Sequence, residues 1–269
     1  MVDLSANFAG SIPEYYDKCL GPAWFQALAA DLAQRLPARP AADVLELACG
    51  TGIATRRLRE RLDPSLSLVA SDLSKAMLNF ARSQLIDRGG IDWREADAAS
   101  LPFDDGEFAA VVCAFGIMFV PDKRAAIREA RRVLKKGGIL LFNVWDRIEH
   151  NRHVALTAGV MEDLFPGDDE LSFRRLYEMY DPALLRTLLA EAAFQEVRIE
   201  RKQLEIRGVS ARSIATGLIR GSPRSLLIER RGASLDEVVE RVTAALEKAA
   251  GGATYSGSAS AVVVEARAT

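Results

Sequence analysis

The sequence is poor in the residue types that most often hold metals or form disulfide frameworks. Its 269 residues include three cysteines, Cys19, Cys49 and Cys113, which lie far apart and show no metal-ligand spacing. Three are also too few for a disulfide framework, so the cysteine usage predicts a reducing, cytoplasmic environment and no metal site. Histidine is scarcer still, with His150 and His153 the only two. Any histidine chemistry in this chain must therefore use one of these two residues.

Neither the charge nor the apolar runs point to nucleic acid or to a membrane. The formal net charge is −2, which gives no electrostatic case for nucleic-acid binding. The longest uncharged, strongly apolar run covers residues 108–120 and is too short to span a bilayer. The N-terminus lacks a basic region followed by an apolar core, so we expect no signal peptide. The remaining composition, 49% hydrophobic and 27% charged, is that of a globular protein with one main domain.

The most informative stretch of the sequence runs from Val44 to Gly52. A short apolar run, Val44 to Leu47, is followed by a turn with Gly50 and Gly52 and then by a helix-like segment. A buried strand that ends in a glycine turn and leads into a helix is typical of nucleotide-binding α/β units. Glycine tolerates a positive φ there, and without a Cβ it lets the backbone approach a ligand closely. A glycine pair after a strand is also common in any α/β loop, so the turn needs further support.

Short apolar runs and amphipathic segments alternate after this turn. The first such segment carries Ala54, Leu58 and Leu62 at four-residue spacing, with Arg and Glu on its other face. The alternation predicts a parallel sheet with helices on both faces. Its strands are predicted at 44–47, 66–70, 91–94, 108–115 and 139–145, and two further strands at 194–206 and 261–265.

An acidic residue follows the second predicted strand. Asp72 lies twenty residues beyond Gly52, which is where a βαβ nucleotide fold places the carboxylate that accepts hydrogen bonds from ribose hydroxyls. Taken alone, Asp72 could instead cap the helix that follows. Together with the glycine turn, it favours a ribose-binding role.

A helical segment precedes the first strand. We predict that it begins with Pro22 in its first turn and ends before Pro37. Its apolar residues recur every four positions and form one stripe: Trp24, Leu28, Leu32 and Leu36.

This helix and two later insertions suggest how the chain is divided. We predict an N-terminal helical cap at 1–40 and a main domain at 41–269, with lid insertions at 146–180 and 208–232. The lids combine apolar residues with Arg220 and Arg224. That composition suits a mostly apolar substrate with one anionic group, and it would equally serve ordinary lid packing.

The ordered motifs of this region resemble those of class I S-adenosylmethionine-dependent methyltransferases. The similarity covers residues 42–145 and is greatest to the small-molecule group that includes the ubiquinone/menaquinone biosynthesis methyltransferases. The five motifs are matched by 46–52, by 71–78, by Asp97-Ala98 with 101–103, by 112–122 and by 133–140. Ile53 stands where the quinone enzymes typically carry Asp, so the resemblance does not extend to quinone specificity.

The resemblance implies a fold, an activity and a cofactor. The fold would be a Rossmann-like, mostly parallel seven-stranded sheet in the order 3-2-1-4-5-7-6, with strand 7 antiparallel, helices on both faces and a helical cap. The activity would be transfer of a methyl group from S-adenosyl-L-methionine to a small, partly apolar acceptor by in-line displacement. No nucleic-acid partner and no membrane span are expected, and the oligomeric state is left open, with a homodimer as one alternative.

The resemblance also implies which residues bind the nucleoside part of the cofactor. Asp72 would bind both ribose hydroxyls. Leu73, Met77 and Ala98 would enclose the adenine, and Asp97 would accept a hydrogen bond from its exocyclic amine. For Met77 alone, an ordinary core position would be the default.

The methionine part of the cofactor would lie against the glycine turn. Backbone atoms of Ala48, Gly50 and Gly52 are expected to contact the methionine and ribose portion. Glu46 is expected either to act on the amino end of the cofactor or only to orient the loop.

The reacting centre would lie at the end of the fourth strand. Ala114 and Phe115 are expected near the methyl-bearing sulfonium, and Tyr16 either closes over the methionine carboxylate or simply packs in the core. A weak acceptor could also need a general base, for which His153 and His150 are the candidates.

Two other functions compete with this prediction. A nicotinamide-dependent oxidoreductase, NAD or NADP linked, would want a third glycine after Gly50-Thr51-Gly52, but Ile53, Ala54 and Thr55 follow instead. A non-catalytic protein that binds the same cofactor would keep all the motifs, so the sequence disfavours it only weakly.

Overall fold

The chain folds around one seven-stranded sheet in a computed structural model that describes residues 8, 10–37 and 39–269. The strand order is β3-β2-β1-β4-β5-β7-β6. The strands β1 to β5 pair in parallel, whereas β7 runs antiparallel to both β5 and β6. Both features confirm the predicted topology. The strands are β1 (Val44–Glu46), β2 (Leu68–Asp72), β3 (Ile91–Glu95), β4 (Phe108–Ala114), β5 (Leu134–Trp145), β6 (Phe194–Ser210) and β7 (Thr254–Ala268).

Helices cover the sheet and form the insertions. The α-helices are α1 (Ile12–Tyr15), α2 (Gln26–Gln34), α3 (Ile53–Arg61), α4 (Lys75–Gln84), α5 (Lys123–Val133), α6 (Arg152–Leu164), α7 (Pro182–Glu191), α8 (Ala211–Arg220), α9 (Arg224–Arg230) and α10 (Leu235–Ala250). Short 3₁₀ turns lie at Ile117–Phe119, Ile148–His150 and Arg174–Tyr180. Within the described residues, no helix combines the length and the apolar character that crossing a membrane requires.

The predicted start of the N-terminal helix at Pro22 is wrong. Helical structure begins at Ile12, and Pro22 lies inside a π-helical segment, Tyr16–Phe25, which joins α1 to α2. At the end of that segment the Gln26 N–H bonds the Gly21 carbonyl, five residues earlier. Proline lacks an N–H and crowds an α-helical turn, so the wider π turn lets the helix continue through it. The predicted apolar stripe is buried as expected.

The last strand is much longer than the sequence indicated. Only 261–265 was predicted, yet β7 begins at Thr254 and includes the Gly-Ser-rich stretch before Ala261. There the backbone pairs with β6, for example Ile206 with Gly257 and Leu204 with Ala259. Glycine and serine have low strand propensity, but the long neighbouring strand β6 offers a continuous row of backbone hydrogen bonds. These bonds outweigh the low propensity of the small residues.

Two glycines dock the lid helix α8 onto the N-terminal π-helical segment. A Cβ on Gly217 would lie 2.4 Å from Leu20 Cδ2, and one on Gly221 would lie 2.8 Å from the Tyr16 backbone nitrogen. Glycine is therefore required for this close approach, and it brings the second insertion against the N-terminal helices. The division into a cap at 1–40 and a domain at 41–269 stays a prediction, and residues 1–7, 9 and 38 of that cap lie outside the described residues.

Candidate functional site

A cavity of about 930 Å³ opens beyond the carboxyl ends of β1, β2, β3 and β4. This is the edge of an open α/β sheet where ligands bind. Ten of the residues predicted to bind the cofactor line it: Tyr16, Ala48, Gly50, Asp72, Leu73, Met77, Asp97, Ala98, Ala114 and Phe115. Residues that the sequence did not single out also line it: Phe8, Ala96, Gly116, Phe119, Val120 and Pro121. We call this space the first cavity.

The turn after β1 has the positive φ values that its glycines predicted. Ala48, Gly50 and Gly52 all have positive φ, at 51°, 56° and 86°. A Cβ on Gly50 would meet nothing within 4 Å, so this residue leaves open space beside the cavity. Gly52 does not line the cavity, because a Cβ there would lie 3.2 Å from the Ala81 side chain of α4. Its small size therefore serves the packing of α3 against α4, and its predicted cofactor contact gains no support from the structure.

Asp72 joins the two loops that border the cavity. Its Oδ2 accepts a hydrogen bond from the Gly50 N–H at 2.8 Å, and its Oδ1 accepts one from the Ser74 N–H at 2.8 Å. Burial raises the pKa of this carboxyl, and the backbone donors partly oppose that shift. The cap of α4 is Ser74, whose Oγ accepts from the Met77 N–H. Asp72 is thus not the helix cap that the sequence left as an alternative.

An apolar slot lies beside Asp72. Leu73 is a rare exposed large hydrophobic residue in the described part of the chain, at 37% exposure, while Met77 is 3% exposed. On the other side of the slot, Asp97 Oδ1 accepts a hydrogen bond from the Ala99 N–H at 2.8 Å, which fixes the carboxylate next to Ala98. Apolar walls with one carboxylate at the rim suit a flat heteroaromatic ring that carries a donor.

Glu46 lies beneath the glycine turn and does not line the cavity. It is 1% exposed, and neither carboxyl oxygen has a hydrogen-bond partner among the described residues. Burial raises its pKa to about 8, and the charge of Asp72 adds to the shift. The Thr55 hydroxyl opposes this shift without making a well-formed hydrogen bond. At neutral pH the carboxyl is therefore mostly protonated.

The loop after β4 closes the first cavity on the side where β1 and β4 end. Phe115 has a positive φ of 56°, and its N–H donates to Asn143 Oδ1 at 2.9 Å. A Cβ on the next residue, Gly116, would lie 2.3 Å from the Ala48 Cβ. The loops after β1 and β4 therefore approach each other so closely that only glycine fits at this position. These segments are distant in the sequence, so no local pattern predicts the contact.

A second cavity of about 660 Å³ adjoins the first and shares Phe8, Tyr16, Phe115 and Phe119 with it. The Tyr16 ring stacks on Phe25 with centroids 4.9 Å apart, and burial raises the pKa of its hydroxyl. The remaining wall comes from Trp24, Trp145 and the two lid insertions.

The structure brings neither histidine to these cavities. His153 is fully buried between Trp24 and Tyr255, with ring centroids 4.5 Å and 6.1 Å away, and burial lowers its pKa to about 3. The His150 side chain is 46% exposed, with its Nδ1 2.7 Å from Asp146 Oδ2. Neither lines the first or the second cavity, so the prediction of a histidine base gains no support from the geometry.

Comparison with known proteins agrees with the fold and the motifs. Residues 44–138 match a family model described as a methyltransferase domain. A ubiquinone/menaquinone biosynthesis C-methyltransferase from Pseudomonas aeruginosa is 34% identical over 167 residues, which are 57% of this chain and 65% of that protein. The chain spans only 43% to 65% of the length of the first curated relatives it matches. These matches confirm the predicted resemblance to class I methyltransferases.

Solved structures share the fold at low sequence identity. The Haemonchus contortus phosphoethanolamine N-methyltransferase 2, in complex with phosphomonomethylethanolamine and S-adenosylhomocysteine, superposes with a TM-score of 0.58 at 16% identity over 95% of this chain and 56% of that one. A [4+2]-cyclase, SpnF, superposes with a TM-score of 0.56 at 22% identity over 90% of this chain and 80% of that one. Proteins with different named reactions therefore share this fold, and the reaction must be argued from the site.

Proposed function

We propose that this protein is an S-adenosyl-L-methionine-dependent methyltransferase that acts on a small, partly apolar molecule. The observation that carries the proposal is the position of Asp72. Its carboxylate ends β2, lines the first cavity and is oriented by the Gly50 and Ser74 amides. A buried carboxylate held beside a glycine turn is suited to a pair of ribose hydroxyls.

The other lining residues fit the rest of an adenosyl group. Leu73 and Met77 supply flat apolar contact for a purine, and Asp97 offers an acceptor at the rim. The open space beside Gly50 leaves room for backbone contacts to the methionine portion. Where the two cavities meet, the aromatic rings of Tyr16 and Phe115 provide electron-rich faces of the kind that attract a cation such as a sulfonium.

The cofactor would supply an activated methyl group, and the protein would supply alignment. Methyl transfer needs the acceptor atom in line with the sulfur–methyl bond, and positioning alone can contribute several kcal/mol of barrier lowering. The shared wall of the two cavities would place an acceptor directly beside the sulfonium. The cytoplasmic location and the oligomeric state stay predictions from the sequence.

Calorimetry on the purified protein tests cofactor binding. We expect S-adenosylmethionine and S-adenosylhomocysteine to bind and NAD not to bind. The Asp72→Ala variant loses the ribose acceptor and should weaken binding by roughly 10- to 100-fold, as for charged hydrogen bonds. Asp92→Ala, which removes an exposed carboxylate paired with Arg94, is the matched control and should bind normally. Binding of NAD without either adenosyl compound would refute the methyltransferase proposal and favour the oxidoreductase alternative.

Methyl transfer itself needs a separate measurement. The purified protein would be incubated with methyl-labelled S-adenosylmethionine and a panel of small acids, phenols and amines, and the products would be identified by mass. Formation of a methylated product together with S-adenosylhomocysteine supports the proposal. Tight cofactor binding with no methylated product from any class would favour the non-catalytic alternative.

A further inference from the structure

The second cavity has walls suited to a flat apolar molecule. Trp145 and Tyr177 stack with ring centroids 5.7 Å apart at an interplanar angle of 18°, and Phe115 lies 4.3 Å from Trp145. No Asp, Glu, Lys or His side chain lines this cavity in the described part of the chain. Of the described residues that line it, Arg224 alone is charged. The cavity thus differs from the first one, whose charged lining groups are Asp72 and Asp97.

Arg224 is held in place without a counter-ion from residues 8, 10–37 or 39–269, which the structure describes. It is 3% exposed, its Nη2 donates to the Ser172 carbonyl at 2.7 Å, and its Cζ lies 4.4 Å from the Phe173 ring centroid. Within the described residues its Nε–H has no acceptor, and no carboxylate is among the groups that shift its pKa. Burial lowers the pKa of the guanidinium to about 10, so it remains a cation at neutral pH. The carbonyl and the ring fix its orientation but do not neutralise its charge.

A second unpartnered polar group lies two residues away. Among the residues that the structure describes, the buried Ser222 Oγ has no hydrogen-bond partner, and Ser222 also lines the second cavity. Trp24 Nε1, on another wall of the cavity, also has no acceptor in the described part of the chain. Buried donors without acceptors destabilise a protein, and a buried guanidinium without an anion does so most. An acceptor group that a ligand places between Arg224 and Ser222 would relieve the cost at those two residues.

We propose that the second cavity is the acceptor site and that Arg224, with Ser222, selects a planar, largely apolar molecule bearing one anionic oxygen group such as a carboxylate. The proposal rests on the function proposed above, because it identifies the substrate class of that same site. The aromatic walls would hold the ring system, and the guanidinium would hold the anionic group. The flat aromatic walls and the single cationic side chain suit a small planar molecule with one anionic end.

Three probes of equal shape and different charge test this selection. Calorimetric titrations with 2-naphthoate, 2-naphthamide and 2-naphthylmethylammonium would be run on the full chain, with and without saturating S-adenosylhomocysteine. We expect 2-naphthoate to bind roughly 10- to 100-fold more tightly than 2-naphthamide, the range for a buried charge-assisted hydrogen bond. The cationic probe should bind most weakly of the three.

Variants then connect the selection to Arg224. Arg224→Met should abolish the preference for 2-naphthoate, and Arg224→Lys should retain part of it. The matched control is Arg220→Met, because Arg220 pairs with Asp236 and does not line the cavity. That control should keep the preference of the unchanged protein.

The two proposals fail in different measurements. Equal binding of 2-naphthoate and 2-naphthamide by the unchanged protein, or no binding of any probe, would overturn the acceptor-site assignment without needing any variant to fold. If Arg224→Met lost S-adenosylhomocysteine binding but kept the probe preference, Arg224 would belong to the cofactor site and the assignment would also be wrong. Absence of S-adenosylhomocysteine binding in the unchanged protein would instead refute the methyltransferase proposal.

Discussion

Replacing the buried Glu46 with glutamine should stabilise the protein at pH 8 and leave its stability at pH 5 nearly unchanged. The carboxyl is 1% exposed, and burial raises its pKa from 4.5 to about 8 in the folded state. The folded protein therefore binds more protons than the unfolded chain between these values. Stability must fall as the pH rises through this window. Glutamine stays neutral throughout, so Glu46→Gln should remove that loss.

The size of the effect follows from the two pKa values. For a carboxyl shifted from 4.5 to about 8, integrating the linkage relation gives a loss of about 2–3 kcal/mol between pH 5 and pH 7, which grows to about 3–4 kcal/mol by pH 8. Burial also raises the pKa of Asp72, so Asp72 likewise lowers the stability of the protein as the pH rises. The Glu46→Gln substitution does not remove this second contribution. For a chain of this length, about 2–3 kcal/mol corresponds to roughly 5–10 °C in the melting temperature.

Denaturant and thermal unfolding of both proteins at pH 5, 6, 7 and 8 would measure this effect. The difference in unfolding free energy between Glu46→Gln and the unchanged protein should grow steadily with pH. Glu60→Gln is the control, since Glu60 lies on the exposed face of α3 and pairs with Arg57 and Arg88. A Glu46→Gln difference that stays constant from pH 5 to pH 8 would refute the assignment of a protonated, buried carboxyl.

The same variant decides between the two roles predicted for Glu46. If Glu46 acts on the cofactor's amino group, that cation favours the ionised carboxyl, and binding near pH 7 releases a proton from Glu46. Calorimetry with S-adenosylhomocysteine in two buffers of different ionisation enthalpy counts this proton. The Glu46→Gln variant should release fewer protons. Equal proton release by both proteins would mean that Glu46 only orients the loop.

Three further predictions concern glycines and histidines. Gly217→Ala places a Cβ 2.4 Å from a leucine side chain of the π-helical segment. It should lower the free energy of unfolding by about 1–3 kcal/mol in denaturant titrations. The control is Gly159→Ala in α6, whose added Cβ meets nothing within 4 Å and should not destabilise the protein. Gly116→Ala places a Cβ 2.3 Å from its nearest side-chain atom in the facing loop and should weaken S-adenosylhomocysteine binding in calorimetry, with unchanged affinity the contrary result. His150→Ala and His153→Ala should keep turnover per folded molecule in the product assay. Loss of the buried His153 ring should nevertheless cost about 2–4 kcal/mol of stability. Loss of turnover in a folded variant would support the hypothesis of a histidine base.

Local patterns predicted the parts of the site that depend on local chemistry. The strand, the glycine turn and Asp72 lie on one βαβ unit, where spacing along the chain fixes spacing in the fold. Asp97 and Phe115 follow strands whose carboxyl ends share the same edge, so their approach to the cavity follows from the topology. The structure places these residues at the first cavity.

The missed residues depend on contacts between distant segments. Position 116 must be glycine because Ala48 lies against it. The sequence around either residue gives no sign that the two are in contact. Arg220 and Arg224 looked equivalent in the sequence, yet Arg220 pairs with Asp236 and Arg224 is buried in the second cavity. The contacts that fix Arg224 come from Ser172 and Phe173, which are distant in the sequence, and composition does not reveal such contacts.

The wall shared by the two cavities limits how the proposed reaction can proceed. It consists of Phe8, Tyr16, Phe115 and Phe119, and because burial raises the pKa of the Tyr16 hydroxyl, that group stays protonated at neutral pH. None of these four side chains can remove a proton from an acceptor. The shared wall therefore favours an acceptor that is already nucleophilic when it binds, and the cationic Arg224 of the second cavity favours a molecule that also carries an anionic group. In this arrangement the rate of methyl transfer depends on how the acceptor is aligned at the shared wall. The choice of acceptor depends on the positive charge of Arg224 in the second lid insertion.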